Sequence, residues 1–180
     1  MSYITTVSGK HFDPIHPDRD LIDIADIAHS LSLMCRANGH MTHFYSVAQH
    51  CIACAREAEA RGYSKEVIAG CLLHDASEAY LSDVTRPVKK DLTYYLEVEK
   101  NLQELIWEKL IGRSFSEEEE NRIFAIDDQM LSMEFHLLMP EELDDSHKEL
   151  KVPVSGDFVI PEQIEKEFLM LYKTTVSSGV

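Results

Sequence analysis

The chain has 180 residues, 44 % of them hydrophobic, and its 32 acidic and 17 basic residues give a formal net charge of −15. This length fits one domain, with a core that needs neither disulfides nor a structural metal. The negative charge argues against nucleic acid as a partner, because binding a polyanion needs a basic face. No apolar run is long enough for a signal peptide or a membrane span, so we expect a cytoplasmic protein without a membrane partner.

The first predicted segments follow from prolines and from hydrophobic spacing. Pro14 and Pro17 lie in a polar stretch, so residues 1–19 are predicted to form an irregular or short extended arm. Hydrophobic residues then recur every three or four positions, which is the helical period. They predict helices over about 21–39, 44–61 and 64–80, the third with Ser64 as its N-cap.

Proline and capping residues divide the second half of the chain into further helices. Pro87 interrupts the helical pattern, so residues 82–90 are expected to form a loop. Ser116 and Glu119 form a capping box, which predicts that a new helix begins there. The predicted helices cover about 92–110, 116–139 and 161–173.

The fold expected from these segments is an all-α helical bundle of about six helices, since strand signals are weak throughout. The polar stretch 141–157 is expected to be a surface loop. We therefore expect a single domain over 1–180. It would consist of the arm at 1–19, a helical core at 20–140, and a loop and C-terminal helix at 141–180.

Two of the four cysteines, Cys51 and Cys54, form a CxxC motif, which can bind zinc or carry redox chemistry. They lie within a continuous helical pattern, and no second CxxC follows to complete a tetrahedral zinc site. We therefore expect them to be small, reduced, buried thiols on a helix.

A histidine and an aspartate stand side by side after two leucines, towards the end of the third predicted helix. His74 and Asp75 offer an imidazole nitrogen and a carboxylate oxygen, a combination that suits a first-row divalent metal. Glu78 lies four residues after His74 and therefore on the same face of the predicted helix. Ionisable groups that emerge from an apolar segment are costly without a metal, a partner or a function.

Two other predicted helices supply one candidate each. His50 lies among apolar residues of the second helix, where a lone histidine is ordinarily a core residue. On the helix after the capping box, at about 100° per residue, Asp127 lies at the centre of the apolar face. Asp128 is expected to be an ordinary polar residue at the margin of that face. His50, His74, Asp75 and Asp127 would then converge from three helices, as metal sites in helical bundles do.

The order of these residues, His, His-Asp, Asp, is the signature of the HD superfamily of helical metal-dependent phosphohydrolases. Four segments extend the resemblance: RANGH at 36–40, FYSVAQH at 44–50, HDASEAY at 74–80 and DVTRPVK at 83–89. Together they resemble phage and prophage HD nucleotidases, which are similar to the bacterial 5′-deoxynucleotidase. The similarity covers about residues 1–140.

The resemblance implies one divalent ion (Mn, Co, Mg, Zn, Ni or Fe) and assigns roles around it. Glu78 would be the catalytic carboxylate and Asp83 a second active-site acid, while Arg36 and Lys89 would bind phosphate. An aromatic residue follows the arginine in the deoxynucleotidase, whereas Ala37 stands here and leaves the sugar and base preference open. The implied ligands of the ion are His50, His74, Asp75 and Asp127.

One further spacing of the family, an aspartate seven residues before a glutamate, falls on Asp127 and Glu134. It supports Asp127 as the ligand on its helix. Because relatives are often dimers, the resemblance also implies a homodimer.

A small nucleotide is the implied substrate, and three functions remain open. The first is a 5′-nucleotidase that removes phosphate from (deoxy)nucleoside monophosphates. A (deoxy)nucleoside triphosphate triphosphohydrolase could use the same metal site, and a catalytically silent HD domain could bind nucleotides without turnover. A purely structural helical protein would have to bury Asp75 and Asp127 without partners, which is costly.

Overall fold

The computed structural model describes residues 3–140 and 150–176. Over these residues the protein is an all-α bundle, which confirms the fold class expected from hydrophobic spacing. A small antiparallel sheet precedes the bundle, made of strands β1 (Ile4–Thr5) and β2 (His11–Phe12). The α-helices within the described residues are α1 (Ile24–Leu33), α2 (Val47–Ala60), α3 (Lys65–Leu72), α4 (Glu78–Leu81), α5 (Arg86–Lys89), α6 (Thr93–Leu110), α7 (Glu117–Leu138) and α8 (Pro161–Val176).

The N-terminal arm is more ordered than the prolines predict, because it forms a hairpin that is pinned to the bundle. Phe12 is fully buried, and its ring stacks on that of Tyr80 with 4.1 Å between the ring centroids. Ser8 donates hydrogen bonds to Asp26 of α1 from both its backbone and its hydroxyl. Strands of two residues are too short for the alternating pattern that marks a strand in a sequence.

Helix α2 lies at the centre of the bundle and packs against α1, α3, α7 and α8. The largest fully buried hydrophobic side chains around it are Phe12, Phe168, Ile27, Leu31, Leu72, Leu73, Leu102, Ile106, Ile123, Ile126 and Met130. They come from β2, α1, the C-terminal end of α3, α6, α7 and α8, so one core joins the arm to these helices. No helix among the described residues is long and apolar enough to cross a bilayer.

The first helix ends earlier than its hydrophobic spacing predicts. Helix α1 stops at Leu33, because the chain then runs alongside the residues before α2. Cys35 forms an isolated antiparallel bridge with Ser46, and the backbone N–H of Arg36 donates to the carbonyl of Tyr45 at 2.9 Å. A short turn over Arg36–Gly39 replaces the predicted remainder of the helix.

The third predicted helix is interrupted, and the prediction of one continuous helix through 64–80 is wrong. A turn separates α3 from α4, and Gln103 of α6 holds it open. The side-chain amide of Gln103 donates to the carbonyl of Leu73 at 2.7 Å and accepts from the backbone N–H of Ser77 at 3.0 Å. These bonds satisfy backbone groups at the two helix ends. His74 and Asp75 therefore lie in a turn rather than on a helix face.

The remaining segments follow their predictions with small differences. The helix over 92–110 is confirmed as α6, and the capping box of Ser116 and Glu119 starts α7. The predicted loop 82–90 contains the short helix α5, with Pro87 in its first turn, where a missing N–H does no harm. Helix α8 continues to Val176. Most of the predicted polar loop, 141–149, lies outside the described residues.

A glycine allows α3 to lie directly against α7. A Cβ atom on Gly70 would sit 2.6 Å from Cδ1 of Ile123 and 2.8 Å from Cζ of Phe115, closer than Cβ contacts occur. This approach brings the turn after α3 next to the middle of α7. The prediction for the CxxC pair is also confirmed, since Cys51 and Cys54 are free, buried thiols on α2.

Glu57 of α2 ties the segment that begins at residue 150 to the core. It is fully buried and accepts hydrogen bonds from Nε of Arg61 at 2.8 Å and from the backbone N–H groups of Lys151 and Val152 at 2.9 and 3.0 Å. Burial raises the pKa of this carboxyl, but the three donors outweigh burial and hold the pKa below its usual value.

Replacing Glu57 with glutamine is expected to lower the free energy of unfolding by about 2 kcal/mol near neutral pH, since the charged acceptor of three donors is lost. Because the folded-state pKa is depressed, this stabilisation is complete above the unfolded-state pKa and is lost as the pH falls through the folded-state value. Urea denaturation at neutral and acidic pH measures it, with Glu59→Gln on the exposed side of α2 as the control. A difference from wild type that persists unchanged in acid would contradict this role.

Candidate metal centre

Side chains from three parts of the bundle converge on one point. His50 comes from α2, His74 and Asp75 from the turn after α3, and Asp127 from α7. Nε2 of His50 lies 3.2 Å from Nε2 of His74 and 3.0 Å from Oδ1 of Asp127. Nε2 of His74 lies 3.3 Å from Oδ2 of Asp75. The structure thus brings together the four residues that sequence analysis proposes as ligands.

The second nitrogen of each imidazole is engaged by an acceptor. Nδ1 of His74 lies 2.7 Å from the carbonyl oxygen of Cys71, which has no hydrogen to donate. Nδ1 of His50 lies 2.9 Å from a carboxylate oxygen of Glu134. Both rings therefore carry a hydrogen on Nδ1, and each neutral ring presents a lone pair at Nε2.

Four electron-rich atoms consequently face one another, two imidazole nitrogens and two carboxylate oxygens. The separations that involve a histidine nitrogen run from 3.0 to 3.9 Å. Ligand atoms that share an ion about 2.1 Å away lie about 3 to 4 Å apart. Burial lowers the pKa of both imidazoles, as does Arg36 for His50, yet the neighbouring carboxylates outweigh these effects and raise it. The cluster attracts positive charge, and its nitrogen and oxygen atoms fit a first-row divalent ion.

Two buried thiols border this cluster, a proximity that sequence analysis did not predict. Sγ of Cys54 lies 3.6 Å from Nε2 of His50, one helical turn away on α2. Cys51 belongs with His74 and Asp75 to a group whose ligand atoms all lie within 4.8 Å of one another. Burial raises the pKa of Cys51 to about 11 and that of Cys54 well above its ordinary value. Both thiols therefore lose a proton less readily than an exposed cysteine.

Glu134 of α7 contacts His50 at Nδ1, the ring nitrogen on the other side of the imidazole from Nε2. It is fully buried, accepts from Nδ1 of His50 and from the hydroxyl of Tyr45 at 3.2 Å, and pairs with Nε of Arg36 at 3.3 Å. Sequence analysis used Glu134 only for its spacing from Asp127 and missed these contacts. Seven residues are about two helical turns, so that spacing already indicated that both carboxylates face the same side of α7.

Arg36, predicted to bind phosphate, is buried and held by two carboxylates. Its Nη1 lies 3.4 Å from Oδ2 of Asp75, and its Nε pairs with Glu134. The guanidinium therefore connects the candidate ligand Asp75 to Glu134. Next to it, Ala37 and Asn38 both have positive φ angles, 50° and 52°, which are uncommon outside glycine and concentrate at functional sites.

Three of the four candidate ligands border a cavity of about 900 Å³. Glu78, Asp83 and Lys89 line the same cavity, so the predicted catalytic and phosphate-binding residues lie together. Nζ of Lys89 is 3.6 Å from Glu78 and 2.7 Å from Glu99. Burial, and then the charges of Asp75 and Asp83, raise the pKa of Glu78 well above its usual range. Such a carboxyl holds a proton more readily than an exposed one.

The two neighbouring aspartates of α7 differ as predicted. The side chain of Asp127 is 15 % exposed and faces the histidines, whereas that of Asp128 is 63 % exposed. The structure adds that Arg86, which lines the cavity, contacts both of them. Its Nη2 lies 2.8 Å from Oδ2 of Asp127, and its Nη1 lies 2.6 Å from Oδ1 of Asp128.

Comparison with known proteins shows which family this chain resembles. The HD domain family matches residues 31–136, more than half of the chain. The uncharacterized Escherichia coli (strain K12) protein YfdR is 44 % identical over 109 residues, which cover 61 % of this chain and 58 % of that protein. An uncharacterized protein of Rhodobacter capsulatus is 40 % identical over 88 residues, or 46 % of this chain and 44 % of that protein. The chain spans about half the length of these relatives. The chain therefore belongs to the HD domain family.

Proposed function

We propose that this protein is a metal-dependent 5′-nucleotidase that releases phosphate from (deoxy)nucleoside monophosphates. The observation that carries the proposal is the close approach of the Nε2 atoms of His50 and His74, 3.2 Å apart. The oxygens of Asp75 and Asp127 complete this pair at the edge of a large cavity. Burying a cluster of this composition costs free energy unless a cation offsets its charge. With a divalent cation, the same cluster can take part in catalysis.

The cavity has features that support a nucleotide as the substrate. Its volume of about 900 Å³ lies within the usual range for small-molecule sites, about 300 to 1,000 Å³. Arg36 and Lys89 line it and offer charged donors to a phosphate, so a chain of net charge −15 can still bind an anion. Phe124, Leu131 and Phe135 line another part of the wall, and apolar side chains suit the face of a base.

The proposed chemistry divides between the ion and the side chains. A divalent ion held by the four candidate ligands would act as a Lewis acid towards the phosphoryl group and would lower the pKa of water. Glu78 delivers a proton to the leaving 5′ oxygen, a role supported by its burial on the cavity wall beside Lys89. Arg36 and Lys89 neutralise phosphate charge, and Asp83 orients a water or a sugar hydroxyl.

Replacing Glu78 with glutamine is expected to lower turnover by about 10²- to 10⁴-fold, because the amide cannot donate the proton that the acid supplies. The affinity for Mn²⁺ should stay close to that of wild type, since Glu78 is not among the proposed ligands. Steady-state phosphate release and calorimetric Mn²⁺ titration measure the two effects. Glu97→Gln, on the exposed side of α6, is the control and should retain full turnover. Wild-type turnover in Glu78→Gln would remove Glu78 from the mechanism.

The direct test of the proposed function is phosphate release from a panel of nucleoside mono- and triphosphates with Mn²⁺, Co²⁺, Mg²⁺ or a chelator. Metal-dependent orthophosphate from monophosphates would support the nucleotidase, and the preferred nucleotide would reveal the sugar and base preference. Release of triphosphate would favour the triphosphohydrolase instead. Bound metal without turnover of any nucleotide would favour a silent binding domain.

A further inference from the structure

Arg86 is the first residue of α5, and its guanidinium spans the gap between that helix and α7. One end contacts Oδ2 of Asp127 at 2.8 Å and the other contacts Oδ1 of Asp128 at 2.6 Å. Arg86 lies 41 residues before Asp127 in the sequence, so tertiary packing brings it to the two aspartates. Asp127 is the only one of the three that also contacts the histidine pair among the described residues.

The two oxygens of Asp127 thus have different partners. Oδ1 lies 3.0 Å from Nε2 of His50 and 3.7 Å from Nε2 of His74, whereas Oδ2 accepts from Arg86. A partial rotation of the carboxylate about its Cβ–Cγ bond would move Oδ2 away from Arg86 and lose this hydrogen bond. A carboxylate held in this way presents one oxygen to the centre in a single orientation, and hydrogen bonds to ligating carboxylates commonly tune metal affinity.

Asp128 explains how Arg86 stays in place although its side chain is 58 % exposed. A guanidinium is a planar fork, so two adjacent carboxylates on one helix can hold both of its ends at once. Asp128 contributes nothing to the centre directly, since it contacts neither histidine. Its contact instead holds the guanidinium of Arg86 in the position from which Arg86 contacts Asp127.

We propose that Arg86 is a positioning residue for the metal ligand Asp127 and that Asp128 anchors Arg86 in this task. The inference rests on the metal centre of the proposed function, but it is independent of the substrate. A simple electrostatic role makes the opposite prediction, because a cation next to a metal site repels the ion. Loss of Arg86 would then strengthen metal binding, and a lysine would replace it fully.

The experiment is calorimetric titration of Mn²⁺ into the wild-type protein and four variants: Arg86→Ala, Arg86→Lys, Asp128→Asn and the double variant Arg86→Ala/Asp128→Asn. Arg86→Ala is expected to weaken Mn²⁺ binding by about 10- to 100-fold. Arg86→Lys should be weakened nearly as much, since a lysine keeps the charge but not the fork. Asp128→Asn should show a smaller loss, and the double variant should bind no more weakly than Arg86→Ala, because Asp128 acts through Arg86.

Arg122→Ala is the matched control, since Arg122 also forms an ion pair on α7. Its partners are Glu118 and the ring of Tyr63 rather than a candidate ligand. It should bind Mn²⁺ as wild type does, and all variants should keep their thermal stability in chelator, because exposed ion pairs stabilise little. Unchanged or tighter binding by Arg86→Ala, full rescue by lysine, or additive losses in the double variant would overturn the proposal. Failure of the wild-type protein to bind Mn²⁺ would overturn it together with the metal centre, whereas binding without nucleotide hydrolysis would remove only the substrate assignment.

Discussion

Replacing Asp75 with alanine is expected to lower metal-dependent hydrolysis by about a thousandfold or more. A bound ion contributes several kcal/mol of transition-state stabilisation, and about 1.4 kcal/mol corresponds to a tenfold change in rate. Oδ2 of Asp75 lies 3.3 Å from Nε2 of His74 and 3.9 Å from Nε2 of His50. Removing this side chain therefore removes one of the four proposed ligands. Phosphate release from the preferred nucleotide measures the loss.

The loss of activity in Asp75→Ala should occur without loss of the fold. The side chain of Asp75 is 20 % exposed, and its partner Arg36 retains its contact with Glu134. Mn²⁺ should raise the melting temperature of the wild-type protein by mass action, whereas the variant should show no such shift. Asp91→Ala, an exposed aspartate between α5 and α6, should behave as wild type in both assays. Metal-dependent turnover that survives in Asp75→Ala would refute the ligand assignment.

Replacing Glu134 with glutamine is expected to reduce both stability and metal affinity, because this carboxylate serves Arg36 and His50 at the same time. Arg36 is buried, and its pairs with carboxylates are what offset the cost of burying its charge. Removing one partner of a buried ion pair typically lowers the free energy of unfolding by about 3 to 5 kcal/mol. Because glutamine keeps the shape and one acceptor oxygen, we expect Glu134→Gln to lower it by about 3 kcal/mol.

The effect of Glu134→Gln on the ion follows from the orientation of His50. A carboxylate that accepts from Nδ1 fixes the tautomer and the plane of a ligating imidazole, and loss of such a partner costs about 10- to 100-fold in affinity. Urea denaturation in chelator and calorimetric Mn²⁺ titration separate the two effects. Glu117→Gln, exposed in the first turn of α7, should change the free energy of unfolding by less than about 1 kcal/mol and leave affinity unchanged. Wild-type Mn²⁺ affinity in Glu134→Gln would show that His50 does not depend on it.

Much of this protein could be predicted from local patterns. The spacing of hydrophobic residues identified the all-α class, and the capping box at Ser116 and Glu119 identified where α7 begins. The angular position of each residue on that helix separated Asp127, which faces the histidines, from the exposed Asp128. These features depend on residues within a few turns of one another, and the helical period relates such residues directly.

Other features required the assembled bundle. His74 and Asp75 lie in a turn because Gln103, from another helix, bonds to the backbone at both of its ends. Glu134 reaches His50, and Arg86 reaches Asp127, only through the packing of α7 against α2 and α5. Side chains meet across such distances in sequence only after the core has formed, so helical periodicity carries no information about them. The candidate ligands could be identified from the chain, whereas the residues that contact those candidates are decided by how the helices pack.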